Sequence, residues 1–164
     1  MDFSKVVFSR RAIRKYKNTS VSDEILQRLF QAIQVAPSAN NRQPLKFVFV
    51  RKEEIRQKIV SQACNQDFLN EAPVLAMVCC EKGSSFDAAI AMEHLVLAAA
   101  NEGLSSCIVA WFDKDTAGKI IQIPDTFEIP ILVALGYADE SPEAKIRKTL
   151  DELISFDTFQ NTGK

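Results

Sequence analysis

Between Ser22 and Pro37 the apolar residues Ile25, Leu26, Leu29, Phe30 and Ile33 recur every three or four positions. That spacing is the stripe of an amphipathic helix. Ser22-Asp23-Glu24 supplies an N-cap and an acidic first turn, and Pro37 stops the helix. Residues 3–8 predict a short first helical turn, and residues 53–63 and 113–121 two further helices. Short apolar runs bounded by polar or turn residues predict strands at Lys46–Val50, Val74–Cys80, Ser106–Trp111 and Ile131–Leu135. The longest helix runs from Phe86 to Glu102, with apolar residues at 86, 88–92 and 95–100, and Gly103 ends it. Its apolar positions go almost all round the cylinder, so it must be buried on nearly every side. A chain of 164 residues has few elements to surround it, which places this helix at the centre of a dimer. The tail, 142–164, is polar except for the patch Leu150–Phe159, which its own body has little means to cover and which is free to wrap a partner.

Helices thus alternate with four strands, the pattern of a three-layer sandwich with helices on both sheet faces. The length fits one domain, 1–164, with no internal repeat. At 47% hydrophobic and 25% charged residues the chain has the composition of a folded globular domain. Twenty basic residues stand against 21 acidic ones, which disfavours a globally basic nucleic-acid binder. No apolar run is long enough to span a membrane. The N-terminus has no signal-type apolar stretch, and its arginines run straight into folded-looking sequence, so the expected location is the cytoplasm.

Cys64, Cys79, Cys80 and Cys107 form no C-x-x-C pair, and His94 is the only histidine, so no zinc site is expected. The cysteines read as free thiols, with Cys79 and Cys80 on opposite faces of a strand. His94 lies mid-helix among apolar residues and reads as a hydrogen-bonded core histidine.

Two stretches could carry chemistry. In Ser9–Tyr16, Arg10, Arg11 and Arg14 share one face if the segment is helical. Guanidinium forks there suit a phosphate, although a solvated basic face explains the spacing as well. In Ala36–Pro44, three side-chain amides, a hydroxyl and an arginine are packed between two prolines. Such a loop can read the edge of a planar heterocycle such as a flavin, or be an ordinary turn-rich connection. No GxGxxG, P-loop or nucleophile elbow is present, and nothing reads as a catalytic carboxylate pair. An enzyme built this way leaves the chemistry to a cofactor.

Taken together, these stretches resemble the FMN-dependent nitroreductase family along nearly the whole chain. "SRRAIRKY", "APSANNRQPLKFVFV", "DAAIAMEHLVLAAANEGLSSCIVAWF" and "ILVALGYADE" follow the family's order and spacing. The resemblance implies an α+β homodimer with a central, mostly antiparallel mixed sheet and FMN at the subunit interface. It implies that Arg10, Arg11 and Arg14 hold the phosphate and ribityl end, with Lys145 and Arg147 as a second basic pair. Pro37, Ser38 and Asn41 then approach the same flavin from the other subunit. Asn65 faces the pyrimidine edge, and the backbone N–H groups of Ala110 and Trp111 meet flavin N5 and O4.

The implied activity is reduction of the flavin by NADH or NADPH, followed by transfer of two electrons to a nitroaromatic, quinone or related acceptor. Both partners use one flavin face in turn, a ping-pong scheme. The sequence departs from the family pattern in three places. Ala12 stands for a usual Ser, Leu45 for a common Trp, and Ile108-Val109-Ala110-Trp111 for a frequent P-x-E-G. The chain also lacks the long insertion that often covers the substrate side. A flavin-binding protein that stores or senses FMN without turnover would use the same residues. A nucleic-acid or phosphoprotein binder built on Arg10–Lys17 runs against the balanced charge.

Overall fold

A computed structural model describes residues 2–161. Four strands, β1 (Leu45–Val50), β2 (Val74–Glu81), β3 (Ser105–Val109) and β4 (Phe127–Gly136), form one sheet in the order β1-β2-β4-β3. Every neighbouring pair is antiparallel. The parallel component expected of a mixed sheet is confined to an isolated bridge between Ala12 and Ser106. The helices are α1 (Phe3–Ser9), α2 (Asp23–Gln34), α3 (Glu53–Ala63), α4 (Ser85–Asn101), α5 (Lys114–Ile121) and α6 (Leu150–Leu153). Two 3₁₀ turns lie at Ala39–Asn41 and Asp67–Asn70.

The sheet is the middle of three layers. Along β2, Val74, Ala76, Val78 and Cys80 pack with α2 and α4, while Leu75, Met77 and Cys79 pack with α3 and α5. β4 divides in the same way, with Val133 and Leu135 on the first side and Leu132 and Ala134 on the second. The period of two sends alternate residues to opposite faces. Both faces are covered, so β2 and β4 read as continuous apolar runs rather than alternating ones. Cys79 and Cys80 do face opposite ways.

Two strand limits differ from the sequence reading by more than one residue. β4 begins at Phe127 rather than Ile131, because Phe127 and Glu128 pair with Glu81 and Cys80 across a register shift. Pro130 falls in that shift, where a residue without an N–H is tolerated. β3 ends at Val109, two residues short of Trp111.

α4 lies on the sheet with Ala88, Ala91, Met92, Leu95, Val96 and Ala99 buried. The opposite side is only partly covered: Phe86 is 77% exposed, and Ala89, Ile90, Leu97 and Ala100 are half-buried. His94 is half-buried too, its Nδ1 3.2 Å from the carbonyl oxygen of Ala32, which ties α4 to α2. Gly103, at φ +77°, takes the left-handed conformation that closes α4, and the Leu104 N–H donates back to the Ala99 carbonyl. The tail carries α6, held by a reciprocal Thr149–Glu152 cap. Its Ile146, Leu150, Phe156 and Phe159 all remain exposed.

Candidate functional site

The segment after α1 is extended rather than helical, so Arg10, Arg11 and Arg14 do not share a helical face. α1 stops at Ser9, where the Arg10 N–H closes the last turn on the Val6 carbonyl. Beyond it Ile13 N–H donates to the Ser106 carbonyl, Lys17 N–H to the Tyr137 carbonyl, and Asp139 N–H to the Lys15 carbonyl. Ile13 and Tyr16 plug into the core, and the Tyr16 hydroxyl donates to the Ile13 carbonyl at 2.8 Å. Burial holds that phenol well above its usual range, so it stays neutral. Gly136 makes room for the ring: a Cβ there would sit 2.9 Å from Tyr16 Cδ1 and 2.6 Å from Pro73 Cδ. Glu140 accepts the backbone N–H groups of Arg14 and Lys15. The non-local pairings with β3 and with 137–140 override the local helical spacing.

This path divides the arginines between two places. Arg10 and Arg11 line a cavity of about 440 Å³ together with Lys145 and Arg147, brought over from the C-terminal segment. Four cations and one carboxylate, Glu143, face it. Arg11 also donates to the carbonyls of Phe8 and Arg10, which fixes one side of its guanidinium. Ala12 is on the same wall, without the hydroxyl that a Ser would add.

Arg14 belongs to a second cavity, of about 540 Å³, lined also by Gln66, Phe68, Cys107, Ile108, Ala110 and Trp111. The Arg14 guanidinium lies 5.9 Å from the centre of the Phe68 ring, a cation–π contact. Ala110 and Trp111 stand just past the last residue of β3, outside its ladder. Asn65 is exposed, and its neighbour Gln66 is the amide that lines this cavity. Gln66 and Phe68 escaped the sequence reading. Gln66 sits on the loop between α3 and the following 3₁₀ turn, and Phe68 in that turn, where no periodic pattern fixes which side chain points inward. Burial pushes the Cys107 thiol up against the opposing pull of Arg14, and it drives Cys64, Cys79 and Cys80 up to about 11. None of these thiols offers a ready thiolate near neutrality.

The amide-rich loop is built locally. Asn40, Asn41 and Gln43 all have positive φ, which asparagine tolerates better than most residues. Ser38 Oγ accepts the Gln43 N–H at 2.9 Å, and the Gln43 amide donates to the Asn41 carbonyl. Asp87, buried in the first turn of α4, accepts the Ala39 N–H at 3.0 Å and pins the loop to that end of the helix. Pro37 and Asn41 remain exposed, with Ser38 half-buried.

The cavity holding Arg10 and Arg11 adjoins the other end of α4. Both arginines also border a smaller space closed by Ala100, Gly103 and Leu104. From Asp87 to Ala100 is thirteen helical residues, or roughly 20 Å along the axis. One chain therefore carries Pro37, Ser38 and Asn41 at one end of α4, and the cationic cavity at the other. Among the described residues no group of three or more His, Cys, Asp or Glu is placed to hold a metal ion. No helix among them is long and apolar enough to cross a membrane.

A family model described as "Putative TM nitroreductase" matches residues 2–162. A protein of Methanothermobacter thermautotrophicus named "Putative NADH dehydrogenase/NAD(P)H nitroreductase" is 30% identical over 155 residues, covering 87% of this chain and 80% of its own length. One of the same name from Archaeoglobus fulgidus is 28% identical over 151 residues, covering 85% and 87%. Among solved structures, a nitroreductase family protein from Clostridium difficile 630 superposes with a TM-score of 0.87 at 28% identity, covering 97% of this chain and all of that one.

Proposed function

Because the chain belongs to the nitroreductase family, we propose that it is an FMN-dependent oxidoreductase. It takes a hydride from NADH or NADPH and passes two electrons to a flat, electron-poor acceptor such as a nitroaromatic compound or a quinone. The whole chain, 1–164, acts as one flavin-binding domain in a homodimer.

The observation that carries this reading is the division of cations between two cavities. Arg10, Arg11, Lys145 and Arg147 offer charge-assisted hydrogen bonds to a phosphate dianion. Three residues further along the extended chain, about 10 Å on, Arg14 and Gln66 present a cation and an amide beside Phe68 and Trp111. An anionic end and a flat heterocycle joined by a short polyol fit that spacing. Arg14 accordingly serves the ring end rather than the phosphate, and its charge favours the electron-rich reduced form.

The loop of Pro37, Ser38 and Asn41 lies too far along α4 to reach the same molecule in one chain. A two-fold axis crossing the half-covered side of α4 reverses the helix in the second copy. That places the loop of one subunit beside the cationic cavity of the other. The exposed Phe8 of α1, Phe86 of α4 and the tail residues Ile146, Leu150 and Phe159 supply apolar surface for such an interface. The tail wraps the partner in this arrangement.

Bound FMN supplies the two-electron chemistry. The protein binds and orients, with Arg14 as the fixed charge and the backbone of Ala110 and Trp111 at the ring. No thiol or phenol of the site titrates near neutral pH, so selectivity comes from shape and stacking. NAD(P)H and acceptor then share one face in turn.

The purified protein should carry a flavin absorption spectrum that NAD(P)H bleaches under anaerobic conditions. Reciprocal plots against NAD(P)H at several acceptor levels should give parallel lines. Intersecting lines would contradict a shared face. A colourless protein that takes up no FMN would contradict the reading as a whole, and flavin that NAD(P)H leaves oxidised would mark a storage or sensing protein.

A further inference from the structure

Trp111 is the only tryptophan of the chain. Its side chain is 81% exposed at the rim of the cavity that also holds Arg14 and Phe68. Phe112, the next residue, is buried, and the Asp113 N–H donates to the Ala63 carbonyl at 2.7 Å. The backbone is therefore anchored one residue beyond Trp111, and β3 anchors it two residues before. A large flat side chain is held outward at a fixed place, where it buries little of its own surface. Tryptophan exposed at a cavity mouth offers a rigid face with few rotamers to freeze on binding. Ile108, 39% exposed on the same cavity, extends the apolar rim.

We propose that Trp111 selects the electron acceptor, its indole stacking on one face of a planar aromatic ring and discriminating against acceptors that are not flat. This rests on the flavin oxidoreductase reading and adds a residue to it. The backbone of Trp111 meets the cofactor, and the side chain meets the acceptor. The occupant is a flat ring because the exposed rim left beside the cofactor, Trp111 and Ile108, presents an indole face and aliphatic surface. Stacking is insensitive to the ring's substituents, so it admits a range of nitroaromatics and quinones while excluding puckered rings of equal size.

The test uses the flavin-loaded dimer with 4-nitrobenzamide as the flat probe and nitrocyclohexane as the puckered one. Oxidation of the indole by N-bromosuccinimide, located by peptide mass spectrometry, reads the accessibility of Trp111. It should be rapid in the ligand-free protein and slowed about tenfold by saturating 4-nitrobenzamide, but not by nitrocyclohexane. Trp111→Ala should raise both the KM and the dissociation constant of 4-nitrobenzamide about tenfold, the constant being followed through the flavin absorption band. The same variant should move nitrocyclohexane less than twofold, and Trp111→Phe should recover much of the loss. An indole already shielded in the ligand-free dimer would show that the partner subunit covers it, and would overturn the proposal. So would a Trp111→Ala variant that weakens both probes alike. A protein that binds no flavin would instead overturn the oxidoreductase reading on which this rests.

Discussion

Leu97→Glu should convert the protein to single chains in solution and lower its affinity for FMN by two or more decades. Leu97 lies on the half-covered side of α4, whereas Leu95 is fully buried against the sheet of its own subunit. A carboxylate at 97 would meet water in the separated chain but an apolar surface in the proposed dimer, where burying an unpaired charge costs several kcal/mol. The subunit should keep its own core, and circular dichroism should show native secondary structure. Flavin should be lost because, in the proposed dimer, the cationic cavity of one chain is completed by the loop of Pro37, Ser38 and Asn41 of the other. Leu95→Glu puts the charge inside one subunit, so it should yield insoluble or unfolded protein. Light scattering and flavin titration check both outcomes. A Leu97→Glu protein that stays dimeric would show that the interface lies elsewhere.

Removing Arg10 and Arg147 together should collapse the preference for FMN over riboflavin. The two ligands differ by the phosphate alone, so their affinity ratio isolates the cavity that Arg10, Arg11, Lys145 and Arg147 share. Charge-assisted hydrogen bonds contribute about 1.5–3 kcal/mol each. Losing two of them should cut the ratio by about two to four decades, with most of the change on the FMN side. Arg14→Ala should leave the ratio within about threefold of wild type, since Arg14 lines the other cavity, and should instead slow reduction by NAD(P)H. A matching fall of the ratio in Arg14→Ala would return Arg14 to the phosphate and contradict the division of cations. Equilibrium titration of the flavin-free protein with each ligand measures the ratio directly.

These two predictions depend on features that differ in how far the sequence revealed them. The core strand 74–80 and the long helix 86–102 are plain in the sequence, because their burial follows from their own apolar pattern. α2 and α5 are equally plain, since Ser22 and Asp113 cap them through side chains three residues from the N–H groups they accept. The stretch Arg10–Tyr16 is different. Its charges fit a helix, and so do Ile13 and Tyr16, three residues apart. The decision comes from Ser106, Tyr137 and Asp139, roughly a hundred residues away, whose backbone groups pair with the segment. No local signal contains that pairing. The same holds for the meeting of Arg10 and Arg11 with Lys145 and Arg147, which the family resemblance supplied and spacing alone could not. Asn65 against Gln66 is a matter of one residue in a loop, where the turn rather than any periodicity sets which amide faces the cavity. Pro130 hid the first part of β4, since a proline argues against a central strand unless a bulge receives it.

In the proposed dimer a complete site draws on two copies of the chain, because its parts stand at opposite ends of α4. Mixed dimers test this most directly. One chain carries Arg10→Ala with Arg147→Ala, which disables the cationic cavity. The other carries Pro37→Trp, which fills the loop's face while leaving the loop's hydrogen bonds in place. Neither variant alone should bind FMN tightly. Unfolded together in equal amounts and refolded, half the dimers are mixed, and each mixed dimer has one intact site and one with both lesions. About a quarter of all sites should therefore regain wild-type affinity in the mixture. Wild-type affinity in Pro37→Trp alone, or a mixture that recovers nothing while forming mixed dimers, would contradict it.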